Sequence, residues 1–202
     1  MLRNTFWKIL FAACWVTTAA QAQPIAMRDV FAAMPDSILP MVTKNNRLDC
    51  IDFIENHMEA RVRNKADEYV TLEALTADYA RFRTSALAVL EMKLLPVSDS
   101  TAVLCLVTTI QTGEEGTSRR LEDSQIRFLA SDWSPLPTPV PFERLADNPF
   151  LRMALSADDL TLTLTPQTAL MTIEEREEMK EAPKAVVMRW NEGKFVEATT
   201  HE

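Results

Sequence analysis

The run TAVLCLVTTIQ (residues 101–111) decides the fold of this chain, because it is a nearly continuous series of apolar and β-branched residues. Such a run is typical of a central strand that is covered on both faces. A second strand is predicted at residues 87–97, and the polar residues Ser98, Asp99 and Ser100 between the two are typical of a hairpin turn. These two strands predict the antiparallel centre of a sheet.

Alternation of apolar and polar residues predicts more strands towards the C-terminus. The turn Asn191-Glu192-Gly193 joins the last two of them, because glycine can adopt the left-handed conformation of a tight hairpin. The charge-dense residues 174–181 predict a solvated helical turn or loop. The additional strands cover residues 124–130, Leu160 to Leu164, residues 184–190 and residues 194–197.

Helices are predicted on the N-terminal side of the sheet. Residues 27–34 predict a brief amphipathic helix, and a longer helix begins at Asn45 or Asn46, each of which can cap it with a side-chain oxygen. The apolar residues of the longer helix recur at three- and four-residue steps, which predicts one buried stripe. That stripe consists of Leu48, Ile51, Ile54, Met58 and Val62.

We therefore predict an α+β fold, in which N-terminal helices pack on a largely antiparallel, meander-like sheet. Both halves of the chain repeat a similar order of strands and charged loops, so two similar β units are an alternative description. Alternate prolines from Pro135 to Pro141 predict a stiff extended connector. The predicted single domain covers residues 23–202, with a first half at 23–133, the connector at 134–149 and a second half at 150–202.

Residues 1–22 have the three parts of a secretory signal peptide. Arg3 and Lys8 are its positive region, residues 9–19 are its apolar run, and Ala20-Gln21-Ala22 is its cleavage site. A membrane-spanning helix needs about 20 apolar residues, which is about twice the length of this run. The sequence thus predicts cleavage after Ala22, export to the periplasm or cell surface, and no membrane insertion of the mature chain.

The mature chain is strongly acidic. Removal of residues 1–22 takes away two cations and leaves 19 basic and 29 acidic side chains, a net charge of −10. Such a surface repels nucleic acid and anionic lipid, so neither is an expected partner. Only Gly113, Gly116 and Gly193 are glycines, so the sequence lacks the clustered glycines of phosphate-binding loops.

The cysteine and histidine residues of this sequence do not form a recognisable metal-binding or catalytic motif. Cys50 and Cys105 remain after export, and each lies in a run that predicts burial as a small apolar side chain, with a disulfide as the alternative. His57 and the near-terminal His201 cannot build a multi-histidine metal site. No nucleophile motif accompanies His57, which is therefore interpreted as a residue at the flank of a helix. We expect neither a metal ion nor a cofactor.

Several short motifs are distinctive. They are FAAMPDS (31–37), Leu39-Pro40, NNRLD (45–49), Ile51-Asp52-Phe53, MKLLP (92–96), the strand through Cys105, Asp123-Ser124 and Trp133. Together they resemble the domain-of-unknown-function family number 3256, a family of exported Bacteroidales proteins. The resemblance implies export from a gut or oral bacterium, and it transfers no catalytic residue to this chain.

Three charged residues near the start of the longer helix are candidate site residues. Arg47 lies in the first helical turn, where a cation opposes the macrodipole, so we expect a tertiary ion pair with a carboxylate such as Asp36 or Asp49. Asp49 and Asp52 share a helix face at a three-residue step. Two carboxylates at this spacing can present themselves to a cation or a sugar, or can simply face solvent.

Three aromatic residues are candidates of a second kind. Trp133, Trp190 and Phe195 would form a platform for stacking a sugar if one face of the protein exposed them all. As aromatic residues at strand ends, they would otherwise fill the core.

The sequence contains no motif that identifies a reaction. The predicted function is that of an exported, non-catalytic binding or accessory protein of the bacterial cell envelope. It would contact a protein or an envelope component through its sheet. The alternatives are an inhibitor-like module for an envelope enzyme and a small glycan or peptide hydrolase that uses a carboxylate pair.

Overall fold

The computed structural model describes residues 25–98, 101–112, 121–137, 151–168, 171–178 and 184–198. Within these ranges the helices are α1 (Met27–Ala33), α2 (Lys44–Glu55) and α3 (Ile173–Glu178). The strands are β1 (Arg61–Arg63), β2 (Tyr69–Leu75), β3 (Tyr79–Arg83), β4 (Ala88–Ser98), β5 (Thr101–Thr112), β6 (Leu121–Leu129), β7 (Pro135–Leu136), β8 (Leu151–Leu155), β9 (Thr161–Pro166), β10 (Val186–Asn191) and β11 (Lys194–Glu197).

The described strands form two sheets. The large sheet has seven strands in the order β1 to β7, and the small sheet has four in the order β11-β10-β9-β8. Every strand is antiparallel to its neighbour and follows or precedes it in the chain. The predicted antiparallel meander is therefore confirmed, and the helices are few beside the strands. The idea that the two halves are similar β units stays a prediction.

The central hairpin β4–β5 is covered on both faces, as its composition predicts. Leu90, Met92 and Leu94 of β4 belong to one hydrophobic core, whereas Leu95 of β4 and Cys105 of β5 belong to another. Alternate residues of a strand point to opposite faces, so these two strands separate two cores.

The first core contains residues of α1, α2 and one face of the large sheet. Phe31 of α1 packs edge-on against Phe82 of β3, with ring centroids 5.2 Å apart. Ile51 of α2 belongs to the same cluster. The main-chain N–H of Met27 donates a hydrogen bond to the carbonyl of Ala77 at 2.9 Å, which ties the start of α1 to the turn between β2 and β3.

The second core lies between the two sheets. Trp190 of β10 and Phe195 of β11 pack on Phe128 of β6, with ring centroids 6.5 and 6.3 Å from that ring. The indole N–H of Trp190 donates to the carbonyl of Pro96 at 2.7 Å. These contacts hold the small sheet on the face of the large sheet that is opposite to the first core.

Cys50 and Cys105 are free, buried thiols. Cys50 lies in the first core and Cys105 in the second, so the central strands separate them. Burial raises the pKa of Cys50 to about 12 and that of Cys105 well above its ordinary value. Both therefore act as small apolar side chains, because the reactive thiolate is not formed at neutral pH.

The start predicted for α2 was wrong by one or two residues. The helix begins at Lys44 and is capped by Thr43, whose hydroxyl oxygen accepts the main-chain N–H of Asn46 at 3.1 Å. The side-chain oxygen of Asn46 accepts the main-chain N–H of Thr43 at 3.0 Å in return. Asn46 is thus the third residue of a reciprocal cap rather than the cap itself.

The buried stripe predicted for α2 was partly right: Ile51 is buried, and Ile54 and Val62 pack against the first core. It was wrong for Leu48 and Met58. The buried residues of this helix are Arg47, Cys50 and Ile51, and Leu48 is 39% exposed. The helix ends at Glu55, so Met58 lies beyond it and is 52% exposed. The stripe was misplaced because Arg47, counted as a surface residue, fills the position next to the core.

The predicted proline connector begins as a strand. Pro135 and Leu136 form β7, which pairs with Leu129 and Phe128 of β6 at the edge of the large sheet, where proline is tolerated. Residues 138–150, which include most of the connector, lie outside the described residues. The predicted signal peptide, residues 1–22, lies outside them as well.

The hairpin predicted at the C-terminus is confirmed. Glu192 and Gly193 have φ values of 48° and 84°, as a two-residue turn between β10 and β11 requires. In the described ranges, no helix is both long enough and apolar enough to cross a membrane.

Candidate functional site

The three aromatic candidates do not share a surface. Trp190 and Phe195 are 4% and 1% exposed and belong to the core between the sheets. Trp133 lies in the turn between β6 and β7 with a φ of 70° and packs against the first core, on the other side of the large sheet. The structure therefore places Trp190 and Phe195 in the interior and Trp133, half-buried, on the other side of the large sheet, so the three do not form a common stacking platform.

Asp49 and Asp52 are both exposed on α2. One carboxylate oxygen of Asp52 accepts the side-chain amide of Asn56 at 3.3 Å. Neither aspartate lines the two surface depressions described below. Their arrangement is that of a solvated helix face.

Arg47 is almost completely buried, with 2% exposure. Its Nη1 donates to Asp36 Oδ1 at 3.2 Å and to the carbonyl of Val42 at 2.8 Å, and its Nη2 donates to the carbonyl of Met34. The expected ion pair is thus formed with Asp36 rather than Asp49. Arg47 ties α2 to both ends of the loop that connects it to α1.

Replacing Arg47 by alanine is expected to lower the free energy of unfolding by about 2–3 kcal/mol, because two buried carbonyl groups lose a charged donor. For a chain of this size, that loss corresponds to several degrees in Tm. The measurement is thermal unfolding followed by circular dichroism. Asp36→Ala is the matched control: its side chain is 57% exposed, so it should cost less than about 1 kcal/mol. An unchanged melting curve for Arg47→Ala would contradict the structural role.

The outer part of the large sheet carries a surface that the sequence analysis missed. Arg61 and Arg63 of β1 lie beside Tyr69 of β2, and the register pairs Arg63 with Tyr69. Their guanidinium carbons are 3.8 and 4.6 Å from the centre of the Tyr69 ring. Arg81 and Arg83 of β3 continue this row of side chains. We call the surface formed by these five residues the arginine face.

The arginine face continues the sheet face that the small sheet covers. Tyr79, two residues before Arg81 on β3, is part of the core between the sheets. Residues two apart on a strand point to the same side. The small sheet therefore covers one part of this face, and the strands β1 to β3 remain open beyond it.

A broad depression of about 680 Å³ lies at the arginine face. Its lining includes Arg61, Tyr69, Thr71, Arg83 and Leu87. Tyr69 is 45% exposed and Leu87 is 52% exposed, so the depression offers both aromatic and aliphatic surface to a partner.

Charged side chains beside the depression form a connected network. Glu73 accepts hydrogen bonds from Arg81 at 2.8 Å and from Arg83 at 2.6 Å, both through Nε. Glu91, which is 5% exposed, accepts Nη1 of Arg81 at 2.9 Å and the hydroxyl of Tyr79 at 2.7 Å. Burial and the contact with Glu91 raise the pKa of Tyr79, so its hydroxyl remains a donor.

This network positions the arginines without using all their donors. Arg83 engages only its Nε among the described residues, which leaves both terminal amino groups free. Arg61 has one ion pair with a described residue, a loose one of 3.9 Å to Glu59. Arg61 and Arg83 therefore present guanidinium donors that are only partly used, whereas Arg63 and Arg81 are paired with carboxylates.

The sequence contains a signal for this surface. The motifs Arg61-Val62-Arg63 and Arg81-Phe82-Arg83 alternate an arginine with an apolar residue, which predicts strands with one cationic face and one buried face.

In the part of the chain that the structure describes, no group of three or more His, Cys, Asp or Glu side chains could hold a metal ion.

Comparison with known proteins identifies relatives without an assigned activity. A family described as "Protein of unknown function (DUF3256)" matches residues 17–146. A solved structure, described as a domain of an uncharacterized protein from Porphyromonas gingivalis W83, is similar to this chain with a TM-score of 0.63 and 26% sequence identity. The similarity covers 86% of this chain and 98% of that chain. No curated protein matches the chain.

Proposed function

Because this chain belongs to the DUF3256 family of proteins of unknown function, we propose its function from its own structure. It is an exported, non-catalytic binding or accessory protein of the bacterial cell envelope, and it contacts a partner protein through the arginine face. Residues 1–22 support export, since they have the composition of a signal peptide. The helices α1 and α2 serve as the cover of the opposite sheet face.

The observation that carries this proposal is the composition of the open surface. Arginine and tyrosine are the residues, with tryptophan, that most often dominate the energy of protein interfaces. Here Arg61, Tyr69 and Arg83 line one depression together with exposed Leu87, and Glu59 and Glu68 add two carboxylates to its lining. The depression is broad and shallow, which suits a protruding side chain or segment of another protein.

The rigidity of the surface also favours binding. Glu73 and Glu91 hold the guanidinium groups of Arg81 and Arg83, so a partner need not immobilise these two side chains itself. Side chains that are already ordered lose less entropy on binding.

The test is site-specific photo-crosslinking in the producing bacterium, with the full chain expressed from its own N-terminal segment. A crosslinking amino acid is placed at Leu87 or, as a matched control, at Val187, which is 41% exposed on the small sheet. We expect the mature chain in the envelope fraction, beginning at Gln23. We also expect one envelope protein to crosslink at least about tenfold more from position 87 than from position 187.

The variant Tyr69→Ala should reduce that crosslink by at least about tenfold, the loss typical of a central interface residue. Tyr69 is 45% exposed, so the variant should retain its melting temperature. Equal crosslinking from both positions, or a crosslink that survives Tyr69→Ala, would refute binding through the arginine face. A chain that stays in the cytoplasm with residues 1–22 intact would refute export.

A further inference from the structure

A second, smaller depression lies on the face of the large sheet that is opposite to the arginine face. It is next to the part of that face on which the helices pack. It has a volume of about 290 Å³. Thr108 of β5 and Gln125 and Arg127 of β6 line one side of it, and Ile38 and Leu39 of the α1–α2 loop line another. The register pairs Thr108 with Gln125, so these polar side chains are neighbours on one sheet face.

The charge of this depression is not compensated. Arg127 is the charged residue among those that line it. The guanidinium group of Arg127 makes no hydrogen bond or ion pair with any other residue in the described ranges. By contrast, the exposed Arg28 and Arg63 pair with carboxylates at 2.6 and 2.7 Å. Although the chain has 29 acidic residues, no carboxylate of the described ranges pairs with Arg127. The depression therefore offers a free positive charge to an anionic ligand.

The floor of the depression is apolar. Leu90 of β4 is 1% exposed and lies at its base, and Ile38 and Leu39 are half-buried at its rim. The side-chain amide of Gln125 has no hydrogen-bond partner among the described residues. A few polar groups around an apolar floor are the usual composition of a small-molecule site.

We propose that this depression binds a compact carboxylate with a short branched apolar group. The planar guanidinium of Arg127 matches the two oxygens of a carboxylate and compensates its single charge. The amide of Gln125 can donate a further hydrogen bond. The apolar group lies against Leu90, Ile38 and Leu39.

The depression is small and open to solvent. Its volume of about 290 Å³ suits a ligand of about ten non-hydrogen atoms, whose carboxylate and apolar group lie inside it. A branched short-chain acid and the C-terminal residue of a peptide are both of about this size. Both sources share the carboxylate and the apolar group that the site recognises.

The proposal is tested by NMR titration of the purified, isotopically labelled protein with three probes. These probes are 4-methylpentanoate, N-acetyl-leucine and N-acetyl-leucinamide. We expect the two acids to bind with millimolar dissociation constants and to shift the resonances of Thr108, Gln125 and Arg127. The amide lacks the carboxylate and should bind at least about tenfold more weakly, because a charged hydrogen bond is lost. Tighter binding of N-acetyl-leucine than of 4-methylpentanoate would identify a peptide terminus as the source, and the reverse would identify a free acid.

The variant Arg127→Gln should lower the affinity for both acids by at least about tenfold. Arg127 is exposed and has no partner among the described residues, so the variant should fold normally. Arg189→Gln is the matched control, because Arg189 is an exposed arginine on the small sheet and its loss should leave the affinity unchanged. Equal binding of the acid and the amide, equal binding by Arg127→Gln, or no binding by either acid at tens of millimolar would overturn the proposal.

Discussion

Replacing Trp190 by alanine is expected to lower the free energy of unfolding by about 3–5 kcal/mol. The side chain is 4% exposed, its ring lies 5.1 Å from that of Phe195, and it stacks on Phe128. Its indole N–H also bonds the carbonyl of Pro96 in the large sheet. Alanine would therefore leave a cavity between the sheets and remove one of the hydrogen bonds that join them. Folded domains have about 5–15 kcal/mol of stability in total, so this one substitution should bring the protein close to unfolding.

Chemical denaturation followed by circular dichroism measures this loss. Trp190→Phe keeps most of the packing but loses the hydrogen bond to Pro96, so it should cost about 1–3 kcal/mol. Val187→Ala, on the exposed side of the same strand, should change the stability by no more than about 0.5 kcal/mol. A cost for Trp190→Ala no larger than that of Val187→Ala would show that this aromatic cluster does not hold the small sheet.

Replacing Glu91 by alanine is expected to lower the free energy of unfolding by about 2–4 kcal/mol, because it leaves buried donors without their acceptor. Glu91 accepts the Tyr79 hydroxyl at 2.7 Å and Arg81 at 2.9 Å. Arg81 keeps its ion pair with Glu73 and is 32% exposed, so the loss stays below that of an isolated buried pair. The effect on Tyr79 is larger, since its hydroxyl is buried at the edge of the second core.

A double-mutant cycle with Tyr79→Phe identifies the cause of the Glu91 effect. The two residues are in contact, so their substitutions should show a coupling energy of about 1 kcal/mol or more. Glu68→Ala, an exposed glutamate on the same side of the sheet, is the control and should change stability by no more than about 0.5 kcal/mol. Additive effects of Glu91→Ala and Tyr79→Phe would contradict a shared hydrogen bond in the folded state.

The central strands were predictable because a strand that is buried on both faces consists almost entirely of apolar and β-branched residues. The apolar run of β5 predicts a central strand, and the structure gives β5 two partners, β4 and β6. In β4, however, Glu91 and Lys93 are buried charges. Lys93 bonds Asp78 and the carbonyl of Ala157. Only the folded structure brings these acceptors near, so the pattern of β4 by itself cannot predict the burial of its charges.

The buried face of α2 could not be read from periodicity for the same reason. Arg47 counts as a surface residue in any apolar pattern, yet its partners Met34, Asp36 and Val42 lie in the segment before the helix. The sequence predicted that Arg47 needs a tertiary partner, because a cation in the first helical turn is unfavourable. It could not predict that α2 would turn Arg47 towards the core to reach these partners, with Leu48 on the exposed side.

The candidate site was the least predictable feature. Trp190 and Trp133 were both interpreted as aromatic residues at strand ends, but the fold places them on opposite sides of the large sheet. The arginine face, in turn, is visible in the sequence only as two short alternating motifs. It becomes a surface because the small sheet covers β3 at Tyr79 but leaves Arg81 and Arg83 uncovered, and the extent of that cover is a property of tertiary packing.

The order of the strands has a consequence for how the chain reaches its native state. Each described strand pairs with its neighbour in the chain, whereas Lys93 bonds Ala157 and Pro96 bonds Trp190 across 64 and 94 positions. Nearby segments meet faster than distant ones, so we expect the hairpins to assemble early and the two sheets to dock last. Before docking, Val107 and Phe128 would face water on a wide apolar surface that favours self-association. We therefore expect partly folded molecules to self-associate until the small sheet has docked on the large one.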